Sequence, residues 1–215
     1  MQAPKARKDE RDRRGPLLIL AAALVLAAVA GAAFFLLGGG ESKTESVPQA
    51  MRDAGCTYRT FKGAGTGVHI SNPAATPKEW NSFPPTSGPH FGQWVLWGEY
   101  DQPVQLARAI HNLEHGGIAM YYGSDVPDDE IAKLRSFYRS DPTAMLLAPL
   151  PRLGDKLALT AWYAPDKDGQ VQVEASQGIL AECTGVDENA FKTFRDAYRF
   201  KGPERVPPES LQPGT

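Results

Sequence analysis

The sequence predicts an α+β domain, a small mixed sheet with about three helices, preceded by one N-terminal transmembrane helix. Short runs of branched and aromatic residues recur between single amphipathic helical stretches, which is the order expected of a mixed sheet. No internal repeat replaces that order. Residues 17–37 read LLILAAALVLAAVAGAAFFLL, a run without a charge, and at 1.5 Å per residue it is long enough to cross a bilayer as a helix.

The segment before that run carries Lys5, Arg7, Lys8, Arg11, Arg13 and Arg14 against Asp9, Glu10 and Asp12. A net basic flank stays on the cytoplasmic side. The apolar run continues through Phe34, Phe35, Leu36 and Leu37, past the small residues Ala30-Gly31-Ala32. An uncleaved anchor therefore fits better than a removed signal. The expected organisation is a cytoplasmic basic tail (1–16), a transmembrane helix (17–37), a flexible linker (38–49), an extracytoplasmic α+β domain (50–204) and a disordered tail (205–215). This places the chain in the cell membrane as a single-pass protein with its N-terminus cytoplasmic, partnered by the bacterial membrane and, as a candidate, by an envelope protein.

The formal charge of −2 includes the basic tail, so the remainder is distinctly acidic. No basic stripe with interleaved aromatics is present, which excludes nucleic acid as a partner. Cys56 and Cys183 are the two cysteines, and an even pair outside the cytoplasm is compatible with a disulfide bond.

Taken in order, residues 50–60 form an entry segment leading to a short edge strand. Residues 61–90 are rich in Gly, Pro, Ser, Thr and Asn, a loop composition, with a brief strand at 68–70. Pro84 and Pro85 hold the backbone extended, and Gly88-Pro89 turns it directly before His90. Residues 93–100 read as a strand. Asp101 then offers a helix cap, Pro103 sits in a first turn, and the helix runs to His115. On that helix Leu106, Ile110 and Leu113 make an apolar arc, with Gln105, Arg108 and Asn112 opposite. His111 and His115 lie side by side between the arcs, with Glu114 at the other margin. Gly116-Gly117 ends the helix. Strands at 118–122, 144–148 and 156–163, a weak one at 170–174, and helices at 128–139 and 187–199 complete the domain.

All four histidines fall within 47 residues, from His69 to His115. A one-turn spacing aligns the imidazoles of His111 and His115 toward one point, as a metal chelate requires. His90, on its stiff approach, and His69 complete a predicted ligand set of His69, His90, His111 and His115. Several imidazoles suit zinc, copper or nickel, so the expected cofactor is a transition metal, zinc or copper. Met120 could add a soft ligand for monovalent copper. Glu114 supports a liganding histidine. Alternatively, His111-Asn112-Leu113-Glu114-His115 is an HxxEH arrangement, in which Glu114 is the catalytic base of a zinc-dependent hydrolase and Glu182 or Glu188 completes the ligands. A third reading is a metal-free envelope protein-interaction module, with Trp94, Trp97 and Trp162 building an exposed aromatic surface.

Several pieces of the chain match a known pattern: Gly55-Cys56, Val68-His69-Ile70, PPTSGPH ending at His90, HNLEHGG starting at His111, Leu146-Leu147-Ala148-Pro149, Leu159-Thr160-Ala161-Trp162, Cys183 and Gly202-Pro203-Glu204. With these, residues 55–204 resemble the bacterial family of unknown function numbered 3105, often found behind one N-terminal membrane helix. The resemblance implies a shared fold, topology and site, and supplies no reaction.

Overall fold

The computed structural model describes residues 46–215. The expected basic tail and transmembrane helix lie outside the described residues, as does most of the expected linker. Among the described residues no helix is long and apolar enough to cross a membrane. The expected architecture is therefore corrected to four α-helices with a small mixed open sheet among the described residues, and the expected membrane anchor, membrane partner and single-pass location are corrected with it.

The described elements are α1 Val47–Asp53, β1 Thr57–Lys62, β2 His69–Ile70, β3 His90–Phe91, β4 Gly98–Glu99, α2 Leu106–Glu114, β5 Ile118–Tyr122, α3 Asp128–Ser140, β6 Met145–Pro149, β7 Leu157–Tyr163, β8 Asp166–Lys167, β9 Gln170–Val171, β10 Gln177–Cys183 and α4 Glu188–Tyr198. Six strands form one sheet in the order β1-β10-β7-β5-β6-β4. β5 and β6 run parallel, a pairing that needs a crossover connection, and α3 is that crossover. β7 runs antiparallel to β5 and to β10.

Period-two alternation sends each strand's side chains into two cores. Ile118, Met120, Leu157, Leu159, Ile179 and Ala181 face one side, where Leu134 and Phe137 of α3 and Phe191 and Phe194 of α4 cover them. Ala119, Tyr121, Ala158, Trp162 and Leu180 face the other, where Ile110 and Leu113 of α2 pack. The Cys56–Cys183 disulfide ties the residue before β1 to the end of β10. These strands are already neighbours, with Thr57 opposite Glu182.

Several local expectations change. Residues 93–100 pair with the sheet only at Gly98–Glu99, because the Asn112 side chain takes the place of a neighbouring strand. Its Oδ1 accepts from Val95 N–H at 2.9 Å and its Nδ2 donates to Val95 O at 2.8 Å. Asn112 is thus fully buried rather than on an outer arc, since residues 91–97 cover that side of the helix. α2 starts at Leu106, and Asp101 pairs with Arg135 at 2.7 Å instead of capping it. The strand at 170–174 reduces to Gln170–Val171 in a hairpin with β8; the sheet is instead completed by β10, which the sequence reading missed.

The stretch after Gly202 does not fray. Leu211 is fully buried, Ala144 N–H donates to its carbonyl at 2.7 Å, and Gly214 N–H donates to Trp97 O at 2.7 Å. At the other end of the described chain, α1 begins inside the expected linker.

α2 closes with a Schellman motif. Gly116, at φ +86°, donates to Leu113 O at 2.9 Å, and Gly117 donates to Asn112 O at 2.9 Å, which satisfies two carbonyls the helix would otherwise leave open. The Trp97 indole lies flush on Gly117, where a Cβ would come within 2.3 Å of it.

Replacing Asn112 by Ala orphans both Val95 backbone groups in a buried position. Each orphan costs about 1–3 kcal/mol, so urea denaturation of Asn112→Ala is expected to show a loss of about 2–6 kcal/mol. A loss under about 0.5 kcal/mol would mean that the side chain does not act as a strand partner.

Candidate metal centre

Three separate pieces of chain bring the predicted residues together. β2 and β3 pair in parallel with His69 opposite His90, and α2 presents His111, Glu114 and His115. His69, His90, His111 and Glu114 each offer a ligand atom, and these atoms all lie within 4.8 Å of one another. The rings are correspondingly close. His69 stacks on His111 at 5.3 Å with 9° between planes, and His90 stands edge-on to both at 5.1 and 5.0 Å. His90, His111, Glu114 and His115 are buried, whereas His69 is exposed.

The approach to His90 is built as a buried support rather than a surface loop. Thr86, Ser87 and His90 are fully buried. Thr86 fills the space above Gly178 of β10, where a Cβ would come within 2.0 Å of its hydroxyl. Trp80 Nε1 donates to Pro89 O at 3.0 Å, and Trp80 also lies close over Gly88, at φ +129°.

Backbone carbonyls fix the histidine tautomers. His90 Nδ1 is 2.9 Å from Gly88 O, His111 Nδ1 is 2.9 Å from Phe91 O, and His115 Nδ1 is 2.7 Å from Glu204 O. A carbonyl only accepts, so each Nδ1 must carry the proton and each neutral ring leaves Nε2 as a lone pair.

Those lone pairs face other acceptors. His111 Nε2 and His115 Nε2 lie 2.8 Å apart, and His90 Nε2 lies 2.8 Å from Glu114 Oε2 with both side chains fully buried. The second contact has ion-pair distance without hydrogen-bond geometry, so His90 Nε2 and Glu114 Oε2 are left with no hydrogen-bond partner. Glu114 Oε1 is satisfied, accepting from Gly67 N–H at 2.7 Å. Such a knot of buried acceptors is unfavourable unless a proton or a metal cation joins it.

The two kinds of cation are distinguished by charge. Burial pushes His111 down to about 4, with the neighbouring His115 and His90 adding to the effect against the bond to Phe91 O. Its ring is neutral at pH 7. Burial also opposes charge on His90, but the Glu114 carboxylate more than offsets it and the pKa is raised. Burial works to raise Glu114, yet His90 and the Gly67 N–H hold it lowered. The centre therefore combines the Glu114 carboxylate with the neutral His111 ring, while a proton on His90 is favoured by Glu114 in the metal-free protein; imidazoles with a carboxylate form a donor set suited to a divalent transition metal, which would take that proton's place.

Several expected roles do not fit this geometry. Met120 is packed in the core on the opposite face of the sheet. Trp97 and Trp162 are 1% and 0% exposed, so these two build no exposed aromatic surface, and Trp94 stands edge-on to His111 and His115 at 5.7 and 5.1 Å. Glu182 pairs with Arg59, and Glu188 opens α4 on the far face. The sequence reading missed the carbonyls of Gly88, Phe91 and Glu204 as supports, since a backbone group leaves no signature in residue type. Glu204 also forms a second close grouping with Glu114 and His115.

Fold and site together define an α+β domain with a buried histidine and carboxylate cluster able to coordinate a metal ion. Residues 72–210 match the family described as protein of unknown function (DUF3105), and the chain belongs to that family. The match holds His90, His111, Glu114 and His115 and begins after His69. No curated protein and no solved structure matches the chain.

With its folded pKa below the ordinary value, His111 binds fewer protons than in the unfolded chain between about pH 4 and 6.5. Its contribution to the stability of metal-free protein is thus present above that window and lost as pH falls through it. In metal-free protein, ¹⁵N-detected titration of the His111 ring is expected to give a midpoint at about 4; a midpoint near 6.5 would mean that the ring is open to solvent.

Proposed function

We propose that this domain binds one divalent transition-metal ion, zinc or copper, through His90, His111 and Glu114, with exposed His69 and buried His115 as the flanking ligands. The observation that carries this reading is the bonding of three Nδ1 atoms to backbone carbonyls, which turns the Nε2 atoms toward one another and toward Glu114. Such locking of Nδ1 is the usual support of a liganding imidazole. Both cysteines are tied in the disulfide, so no thiolate competes, and imidazole with carboxylate favours a divalent ion over monovalent copper.

Glu114 is better read as a ligand than as a general base. One oxygen is held by Gly67 N–H and the other faces His90, leaving neither set apart for a water molecule. The HxxEH spelling then reflects helical spacing that aims three side chains at one point. We accordingly propose metal binding without assigning a hydrolytic reaction.

Full-length protein prepared without a polyhistidine tag should take up about one equivalent of zinc or copper, measured by elemental analysis after dialysis. His90→Ala and His111→Ala should each weaken binding at least about tenfold, and Glu114→Gln by about 10–100-fold, with circular dichroism confirming that each variant is folded. A parent protein that holds neither metal at micromolar free concentration would overturn the reading.

A further inference from the structure

A cleft of about 400 Å³ opens beside the centre, lined by Gly92, Gln93, Trp94, Leu96, Arg108 and His111. One wall is thus a candidate ligand, and Arg108 is the charged side chain of the lining. The two residues stand three apart on α2, so they share a helix face.

The Arg108 guanidinium is held in place without being neutralised. It lies 4.4 Å from the centroid of the Phe91 ring, its Nε donates to Gln105 Oε1 at 2.8 Å, and its Nη1 donates to Gln93 Oε1 at 3.2 Å. Every one of these partners is neutral. Arg135 and Arg139 share Glu99, and Arg199 pairs with Asp141, but among the described residues no carboxylate pairs with Arg108. Its Nη2 makes no hydrogen bond to the described residues.

A divalent ion held by neutral imidazoles and the single carboxylate of Glu114 keeps net positive charge. Arg108 adds more on the same cleft, and its planar fork matches a carboxylate. Two of the other walls are apolar: Trp94 stands edge-on to the histidines and Leu96 is 57% exposed. Building on the metal reading above, we propose that this cleft binds a small organic carboxylate, its anionic end reaching the bound ion and Arg108 and its apolar body lying against Trp94 and Leu96.

The test loads the full-length chain with Co²⁺, whose visible spectrum reports the ligands around it, and titrates with benzoate. Benzoate should shift the spectrum saturably, and Arg108→Gln should weaken that binding at least tenfold while Co²⁺ affinity and the unfolding midpoint stay unchanged. Arg108→Lys, which keeps the charge but not the fork, should fall between the two. Co²⁺ uptake with no benzoate response, or an equal response in Arg108→Gln, overturns the carboxylate site and leaves the metal reading standing. Failure of Co²⁺, Zn²⁺ and Cu²⁺ alike to bind overturns both.

Discussion

The candidate centre depends on how the last turn of α2 is closed. Past the Schellman turn, residues 200–204 are laid against the helix end: Phe200 N–H donates to Gly116 O at 2.7 Å, Glu204 N–H donates to Glu114 O at 3.0 Å, and Glu204 O receives His115 Nδ1–H at 2.7 Å. Carbonyls that a helix terminus leaves open are thus satisfied by chain from the far end of the domain. The approach is as close as backbone permits, since a Cβ on Gly202 would fall 2.2 Å from Glu114 O. Gly202 therefore has no room for a side chain, and the Glu114–His115 geometry follows from that contact.

The same economy governs the other supports. Phe91 O orients His111 and Gly88 O orients His90, while β2 and β3 set His69 opposite His90 with a two-residue parallel pairing. None of these segments would hold its shape alone. They are held by the sheet beneath, through Thr86 on Gly178 and Trp80 on Gly88, so the six-stranded scaffold acts at the centre through the PPTSGPH segment.

Much of this was legible in the sequence because helical spacing and turn chemistry are local. The pairing of His111 with His115, the glycine end of α2, the rigid entry to His90 and the disulfide all follow from residue type and separation. What was hidden depends on tertiary packing. Asn112 reads as a solvent residue until Val95 is placed over it, and residues 93–97 read as a strand because aromatic and branched residues suit both a strand and a buried loop. β10 was missed because QGILAEC shows neither alternation nor a turn boundary, both of its faces being covered.

Occupancy by the proposed ion would be linked to folding in this domain. The candidate donors are collected from β2, β3 and the C-terminal end of α2, so an unfolded chain offers no comparable set, and an ion that prefers the folded form would stabilise it by mass action. A chain in metal-poor surroundings would carry its buried acceptors unrelieved and stand closer to unfolding.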